Sequence, residues 1–367
     1  MPHPVHVGLV GCGKISDAYF DGCAHYDFIK IVACADLDLA RAQAKAAERG
    51  VRASTVDGLL ADPSIDLVVN LTIPAAHAAV NTAALQAGKH IYTEKPFALA
   101  SAEGAAVLAL ARAKHLLVGC APDTFLGGGL QTARKLIDDG AIGRPVSALA
   151  FMLSAGHERW HPSPAFYYEK GGGPMLDMGP YYITALINFL GPIARVCGSA
   201  QAAHTERLIT SEPLAGTKIP VLTPTHVTGV MDFAGGATAT IVTSFDTWPY
   251  PLPRLLIFGT EGTLEAPDPN RFDGGVLLRR GADESYVDQP HTHTIERGRG
   301  SGVADLALSI SRRDRPHRAS GELAQHVLEV MESFEKSSVE GRHIQISSTC
   351  DRPPALPAGL APNQLDP

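Results

Sequence analysis

The stretch that decides the fold is Val5-His6-Val7-Gly8-Leu9-Val10-Gly11-Cys12-Gly13-Lys14-Ile15-Ser16. His6–Val10 is a short, mostly apolar run of the kind found in buried strands, and G-x-G-x-x-S follows it at once. Gly11 permits a tight turn, Gly13 lets the backbone approach a pyrophosphate, and the small Ser16 lets the next helix lie close to the strand. The order of strand, glycine-rich turn and helix predicts a dinucleotide-binding unit.

An acidic residue at the end of the second predicted strand indicates which dinucleotide is bound. Asp36 follows Ser16 by 20 residues, the spacing at which a carboxylate meets the adenosine ribose hydroxyls. A carboxylate accepts hydrogen bonds from a 2′-hydroxyl but repels a 2′-phosphate, and the adjacent Leu37 supplies no cation. We therefore expect NAD as the cofactor, with NADP less favoured. The alternative is that Asp36 is an ordinary helix N-cap or turn residue, although Asp38 is better placed to cap the next helix.

Working outward, short β-rich runs alternate with longer Ala-rich segments from Val5 to Cys120. The predicted strands are His6–Val10, Ile29–Ala35, Leu67–Leu71, His90–Thr93 and Leu116–Cys120. The predicted helices are Ile15–His25, Leu39–Arg49, Ala75–Ala87 and Ala102–Lys114. Single helices between successive strands are typical of βαβ units, so the first third predicts a doubly wound α/β domain with a parallel sheet.

Beyond about Thr124 the pattern changes to β-rich segments broken by Gly and Pro. The predicted strands there are Val146–Ser154, His226–Phe233 and Ala237–Phe245, and the predicted helices are Leu130–Asp139, Met175–Leu190 and Glu322–Ser337. Ala234-Gly235-Gly236 and Gly259–Thr263 are typical of hairpin turns, which join antiparallel neighbours. The sequence predicts an α+β second domain, and a loosely held Pro-rich tail from Arg352 onward.

Composition excludes several classes of protein. With 367 residues, 45% hydrophobic and 19% charged, the chain has enough apolar material for packed cores. A net charge of −7 without a basic stripe argues against a nucleic-acid partner. We expect no membrane span and no secretory signal, hence a cytoplasmic protein. Six cysteines without C-x-x-C predict reduced thiols rather than disulfides or a zinc site.

Three further motifs carry a family resemblance. Glu94-Lys95-Pro96 ends the fifth strand, Asn70–His77 follows the fourth, and Gly171-Gly172-Gly173-Pro174-Met175-Leu176-Asp177-Met178-Gly179 lies in the second domain. With the glycine-rich turn, they resemble the glucose-fructose oxidoreductase/inositol dehydrogenase/MocA family. The resemblance implies an NAD(P)-dependent oxidoreductase that moves hydride between nicotinamide and a sugar or polyol carbon.

The resemblance also implies the domain layout and the cofactor contacts. We expect an NAD-binding Rossmann domain over residues 1–124, an α+β substrate and oligomerisation domain with a large, open, mainly antiparallel sheet over 125–351, and the tail over 352–367. Relatives commonly assemble through that sheet, so a homo-dimer or homo-tetramer is expected. The expected cofactor-binding residues are Gly11, Gly13, Lys14, Ile15, Asp36, Thr72, Pro74, His77, Glu94 and Lys95.

Lys95 is the first candidate catalytic residue. At the carboxyl end of a parallel strand it would lie in the crevice where ligands of open α/β sheets bind. Its ammonium would polarise a substrate oxygen as alkoxide character develops. The alternative is an ordinary surface lysine.

In the family, an aspartate and a histidine of a D-x-G-x-H segment flank the nicotinamide. Here the segment reads Asp177-Met178-Gly179-Pro180-Tyr181, with tyrosine in place of histidine. Asp177 could act on substrate or merely cap a helix. A nearby ammonium would lower the pKa of Tyr181, so we expect Tyr181 to transfer the proton. The alternatives are that Tyr181 only binds substrate, that Tyr182 or a histidine elsewhere is the base, or that the redox step is lost.

The expected substrate-binding residues are Asp123, His157, Trp160, His161 and Tyr167. Flat rings beside polar groups suit a sugar, because the rings stack on its C–H face while the polar groups bind its hydroxyls. The alternative for the aromatic residues is that they anchor a subunit interface. The alternative for Asp123 is that it is a helix cap or an acidic loop residue. The spacing of these residues does not suit a metal.

The sequence thus favours an NAD-dependent oxidoreductase acting on a secondary alcohol or ketone of a sugar, glycoside or cyclitol. A glycoside-cleaving enzyme that retains its NAD, oxidises a hydroxyl transiently and eliminates the aglycone is a second hypothesis. A non-catalytic NAD-binding sensor is a third.

Overall fold

The computed structural model describes residues 4–248, 251–312 and 315–367. The chain forms two compact units. The first comprises the described residues of Met1–Gln131, Thr292–Gln325 and Pro353–Pro367, and the second comprises those of Thr132–His291 and His326–Arg352. No helix of the described ranges is long and apolar enough to cross a membrane.

The first unit contains a six-stranded sheet in which every pair of neighbours is parallel. Its strands are β1 (Val5–Val10), β2 (Ile29–Ala35), β3 (Arg52–Ser54), β4 (Leu67–Asn70), β5 (His90–Thr93) and β6 (Val118–Cys120). The strand order β3-β2-β1-β4-β5-β6 is that of a dinucleotide-binding sheet, with a switch of direction between β1 and β4. The predicted Rossmann fold is confirmed.

The helices of the described ranges include the seven that the sequence predicts, most with shifted ends, and two that it does not, Val56–Ala61 and Ser301–Ser311. They are α1 (Ser16–Cys23), α2 (Leu39–Arg49), α3 (Val56–Ala61), α4 (His77–Gln86), α5 (Ser101–Ala113), α6 (Gly128–Asp138), α7 (Gly173–Leu190), α8 (Ser301–Ser311) and α9 (Gly321–Glu340). Asp38 caps α2 by accepting hydrogen bonds from the N–H groups of Ala40 (3.0 Å) and Arg41 (3.3 Å), as expected.

The compact units differ from the predicted domain ranges because late segments of the chain pack in the first unit. The apolar side chains Val303 and Leu306 of α8 are completely buried there. The tail is also packed and not loosely held: Leu356 and Leu365 are buried, and Asp366 forms a 2.8 Å ion pair with Arg315. Burial of its two leucines and this ion pair fix the tail against the unit.

The second unit contains a nine-stranded sheet of order β16-β15-β14-β13-β7-β12-β11-β8-β17. Its strands are β7 (Pro145–Leu153), β8 (Ile193–Gln201), β11 (His226–Phe233), β12 (Thr238–Ser244), β13 (Leu255–Gly259), β14 (Gly262–Ala266), β15 (Val276–Arg280), β16 (Val287–Gln289) and β17 (Ile344–Gln345), while β9 (Glu206–Leu208) and β10 (Lys218–Pro220) form a separate pair. Only β7 and β12 are parallel neighbours among the described strands of the large sheet. Both predicted hairpins are present.

The two faces of this sheet are covered unequally. Along β7, the side chains of Ala148, Ala150 and Met152 are buried, and α7 packs against β7, β11 and β12. The alternate residues Leu149 and Phe151 are half-buried. The face of the sheet opposite α7 therefore carries apolar side chains that are partly exposed.

Candidate active site

The glycine-rich turn leaves the sheet directly after β1. Gly11 has φ +101°, and a Cβ atom there would lie 2.6 Å from the carbonyl oxygen of Leu71, so only glycine fits. A Cβ atom on Gly13 would meet open space. Ser16 begins α1, and its hydroxyl donates a 2.6 Å hydrogen bond to the carbonyl of Gly13. The turn thus presents backbone and a helix N-terminus to an anion.

Asp36 lies beside this turn at the end of β2. Its carboxylate accepts hydrogen bonds from the N–H groups of Cys12 (2.9 Å) and Asp38 (3.0 Å). Leu37, 97% exposed, and the exposed Ile73 offer apolar surface at the same edge of the sheet. A glycine-rich turn, a helix N-terminus, a carboxylate at the end of β2 and apolar surface together fit a dinucleotide.

One charged neighbour of Asp36 was missed from the sequence. Arg41 Nη1 lies 3.7 Å from the Asp36 carboxylate, and the Arg41 side chain is 56% exposed. The expectation that no cation lies nearby, which considered only Leu37, is therefore wrong. The first turn of α2 brings a residue five positions later back to the end of β2.

His77 does not face the crevice as a cofactor contact would. Its ring is buried, with Nδ1 2.7 Å from the carbonyl oxygen of Pro96 and Nε2 3.0 Å from that of Thr72. Burial lowers the pKa of His77. The imidazole lies between the loops that follow β4 and β5, and in the neutral ring one of its nitrogens donates to a backbone carbonyl while the other lies beside a second carbonyl.

Glu94 is likewise directed into the protein. The Tyr19 hydroxyl donates a 2.8 Å hydrogen bond to one carboxylate oxygen, and the Lys95 N–H donates a 2.9 Å bond to the other. Arg299 Nη1 lies 3.5 Å from the same carboxylate. Burial and the Glu94 charge raise the pKa of Tyr19 well above its usual range, so the phenol remains a donor. Lys95 itself is half-buried directly after β5.

Asp123 is not a surface group available to substrate. It is fully buried, and Oδ2 accepts hydrogen bonds from the N–H groups of Gly300 (3.1 Å) and Gly302 (3.0 Å) at the start of α8. Burial raises its pKa. The predicted substrate role is wrong, because the carboxylate anchors the first turn of a helix, as in the alternative interpretation.

In the second unit, Asp177 and Tyr181 lie one turn apart on α7. The helix begins at Gly173 with Gly172 as its N-cap residue, so Asp177 is inside the helix and does not cap it. Tyr181 is largely buried. The hydroxyl of Tyr182 donates a 3.3 Å hydrogen bond to the Phe151 carbonyl, and burial raises its pKa.

Asp177 has a partner that its sequence motif does not contain. Asp177 Oδ2 lies 3.3 Å from His157 Nε2, and the side chains are 17% and 10% exposed respectively. His157 belongs to a short 3₁₀ helix, His157–Arg159, between β7 and α7. The fold therefore places a histidine beside the aspartate although position 181 holds tyrosine.

Aromatic rings surround His157. Its ring centroid lies 4.3 Å from Phe245, 4.4 Å from Tyr167 and 5.1 Å from Trp160. His161 extends the cluster, 5.4 Å from Tyr167, and Trp160 is 61% exposed. The predicted residues His157, Trp160, His161 and Tyr167 thus lie together, while Phe245, which follows β12, was missed.

A series of buried polar and charged side chains adjoins this cluster. Tyr168 donates its hydroxyl hydrogen to Glu158, Glu158 meets Arg207 at 3.3 Å, and Arg207 pairs with Asp246. These side chains are all largely buried. The described residues contain no group of three or more His, Cys, Asp or Glu side chains that could hold a metal ion.

Two family models match the chain. Residues 5–121 match an oxidoreductase family with an NAD-binding Rossmann fold, and residues 130–265 match the GFO/IDH/MocA C-terminal domain. The first match lies within the predicted NAD-binding domain, and the second covers part of the predicted second domain.

Among curated proteins, the chain is 28% identical over 176 residues to 1,5-anhydro-D-fructose reductase of Ensifer adhaerens, covering 47% of this chain and 52% of the relative. It is 27% identical over 266 residues to levoglucosan dehydrogenase of Pseudarthrobacter phenanthrenivorans, covering 65% of this chain and 66% of the relative. Both matches span less than two thirds of the relative's own length. The crystal structure of an NAD binding oxidoreductase from Klebsiella pneumoniae has the same fold, with a TM-score of 0.82, 23% identity, and coverage of 94% of this chain and 100% of that one.

Proposed function

The chain belongs to the GFO/IDH/MocA family of oxidoreductases, and from that premise we propose that it transfers hydride between NAD and a secondary alcohol or ketone of a sugar, glycoside or cyclitol. The observation that carries the proposal is Lys95, half-buried directly after β5 in a parallel sheet whose first turn fits a dinucleotide. The curated relatives, a sugar reductase and a sugar dehydrogenase, support the same class of substrate.

Gly11, Gly13, Lys14, Ile15 and Asp36 would hold the cofactor, with Thr72 and Pro74 at the neighbouring loop. When bound, the nicotinamide ring supplies the hydride acceptor or donor. Lys95 would bind the reacting oxygen and stabilise the negative charge that develops on it. Asp177 would accept a hydrogen bond from a substrate hydroxyl, and Tyr181, one turn away on α7, would take or return the proton.

NAD rather than NADP is the proposed cofactor. The Asp36 carboxylate matches the two ribose hydroxyls and opposes a phosphate. Arg41 opposes this preference. Its guanidinium lies 3.7 Å from the Asp36 carboxylate and reduces the repulsion between that carboxylate and a 2′-phosphate. The preference is therefore a balance between these two side chains.

The substrate would lie against the aromatic cluster of the second unit. The exposed indole of Trp160 provides a flat face for the C–H groups of a sugar ring. His161 lies beside both Trp160 and Tyr167, with ring centroids 5.4 Å apart in each pair, so polar side chains adjoin that face. A pyranose or cyclitol, with axial C–H groups on one side and hydroxyls around its rim, has this combination of surfaces.

Two other features support the proposed assembly and compartment. The second face of the nine-stranded sheet carries half-buried Leu149, Phe151 and Val242, which a second copy would cover in a homo-dimer or homo-tetramer. All six cysteines are free thiols, which suits a reducing, cytoplasmic environment.

A screen of sugars, glycosides and inositols with NAD, followed by NADH absorbance, tests the proposal. We expect NADH to form with at least one alcohol and to be consumed with the matching ketone. Release of an aglycone without net NADH would instead indicate the glycoside-cleaving reaction. Tight NAD binding without turnover on any compound would contradict the proposed activity.

A further inference from the structure

We propose that His157 is a positioning residue: as a neutral imidazole it donates its Nε2 hydrogen to Asp177, holds that carboxylate for the substrate, and does not itself carry the substrate proton. The inference rests on the proposed function, because it concerns an aspartate that the proposal places against substrate. It assigns to His157 a different role from the substrate contact expected from the sequence.

The contact between the two side chains decides which nitrogen carries the hydrogen. His157 Nε2 lies 3.3 Å from Asp177 Oδ2. An ionised carboxylate can only accept hydrogen bonds, so Nε2 must be the protonated nitrogen of the pair. In the neutral ring, Nδ1 then holds only a lone pair.

The surroundings of Nδ1 oppose a role in proton transfer. This nitrogen is buried and has no hydrogen-bond partner among the described residues. The rings of Tyr167 and Phe245 lie 4.4 and 4.3 Å from the imidazole. A general base must reach the hydrogen that it removes, directly or through one water, and an enclosed nitrogen does not. Protonating Nδ1 would also bury an N–H group without an acceptor, which is unfavourable.

Charged groups near His157 do not alter this conclusion. Asp177 reaches the ring from α7. Glu158, the next residue, is occupied by Tyr168 and Arg207 and so directs its charge away from the imidazole. Asp177 is thus the anion in hydrogen-bond contact with His157.

The backbone of His157 is itself held in place. Its N–H donates a 3.2 Å hydrogen bond to the Tyr168 hydroxyl, and its carbonyl accepts the N–H of His161 at 2.9 Å. The carbonyl of Glu158 accepts the N–H of Thr210 at 2.9 Å. A ring fixed by its backbone and by the edge-to-face and tilted contacts of its aromatic neighbours is preorganised to hold Asp177 in one orientation.

Two amide substitutions separate positioning from proton transfer. Glutamine places an amide N–H near the position of Nε2, whereas asparagine, with the same chemistry, is one methylene too short. We expect His157→Gln to keep kcat within about tenfold of wild type, since at most one hydrogen bond is weakened. We expect His157→Asn and His157→Leu to lose roughly 10²-fold in kcat, the order expected when a catalytic group is misplaced. NAD affinity should stay unchanged in all three, and His157→Gln should keep the wild-type pH profile.

Equal, large losses in the Gln, Asn and Leu variants, with loss of a pH-dependent limb in each, would overturn the proposal in favour of proton transfer by His157. Wild-type kcat in all three would overturn it in favour of a packing role.

A second measurement does not require turnover, and the His157→Gln variant identifies the His157 signal among the fifteen histidines. Nitrogen NMR of the ¹⁵N-histidine-labelled protein reports which ring nitrogen is protonated. We expect His157 to show a protonated Nε2 and a bare Nδ1 at neutral pH. A protonated Nδ1, or an imidazolium, would contradict the proposal even if no substrate were found. Failure of the proposed function would appear separately, as absence of NADH formation across the sugar panel.

Discussion

The phenol of Tyr19 donates a 2.8 Å hydrogen bond to Glu94, and the same carboxylate accepts the backbone N–H of Lys95 at 2.9 Å. A residue of α1, which follows the glycine-rich turn, is thereby connected to the backbone of the candidate catalytic lysine. Glu94 thus joins the side chain of one residue of α1 to the backbone of Lys95 within the first unit.

Tyr19→Phe should therefore destabilise the protein. The change deletes one donor to a buried carboxylate, a loss that costs about 1–3 kcal/mol in the free energy of unfolding. Tyr92→Phe is the matched control, because Tyr92 is equally buried but its hydroxyl has no hydrogen-bond partner in the described part of the chain. Denaturant unfolding of the two variants checks this. Equal stability of the two would show that the Tyr19 hydrogen bond contributes nothing.

The balance between Asp36 and Arg41 predicts cofactor preference. Wild type should bind NAD more tightly than NADP, and Asp36→Ala should narrow the gap by removing the anion beside the phosphate. In that background Arg41 can pair with the phosphate, and adding Arg41→Ala should lower NADP affinity again by roughly tenfold to a hundredfold. Calorimetric titration of the single and double variants measures these changes. Wild-type NADP binding as tight as NAD binding would refute the assignment.

Stability should fall as pH drops below about 6.5, the ordinary pKa of histidine. Burial lowers the pKa of both His77 and His326 in the folded state, so the unfolded chain takes up protons that the native state does not. Each histidine then contributes stability that is present above about pH 6.5 and is lost on acidification, at most about 1.4 kcal/mol per pH unit.

His326 provides the specific test of this pH dependence. Its Nε2 accepts the N–H of Ile193 at 3.0 Å, a bond that a protonated ring cannot make. Urea unfolding between pH 5 and pH 7.5 should show a shallower decline for His326→Gln than for wild type. If stability fell equally with pH in the variant and in wild type, His326 would not contribute to the pH dependence.

Tyr181→Phe tests the proton-transfer assignment. The substitution keeps the ring and removes only the hydroxyl, so loss of a general acid/base should lower kcat by about 10²–10⁴-fold and change the alkaline limb of kcat/KM. Tyr182→Phe is the control, since the Tyr182 hydroxyl is bound to the Phe151 carbonyl. Wild-type kcat with an unchanged pH profile in Tyr181→Phe would exclude that hydroxyl.

The parallel sheet was predictable because its signals are local. β4 is buried on both faces and is largely a continuous apolar run, whereas the missed β3 is a short edge strand, Arg52-Ala53-Ser54, with polar residues at its two ends. The glycine-rich turn and the Asp38 cap likewise depend on neighbours a few residues apart. Such patterns are visible without any tertiary structure.

The rest of the site depends on contacts between distant residues. Asp123 meets Gly300 across 177 positions, Arg299 meets Glu94 across 205, and His157 meets Asp177 across 20. None of these pairs has a characteristic spacing, so the sequence could assign Asp123 to substrate and miss Arg299. The sequence pattern did not show that the described residues of Thr292–Gln325 belong to the same compact unit as the N-terminal sheet.

Lys95→Ala gives the most direct measurement of the central claim, that this chain transfers hydride with Lys95 stabilising the reacting oxygen. Steady-state turnover of the best substrate and calorimetric NAD binding would be measured on wild type, Lys95→Ala and the exposed-lysine control Lys30→Ala. We predict a loss of roughly 10²-fold or more in kcat for Lys95→Ala with NAD affinity nearly unchanged, and wild-type behaviour for Lys30→Ala. Near-normal kcat in Lys95→Ala would contradict the claim and make Lys95 an ordinary surface lysine.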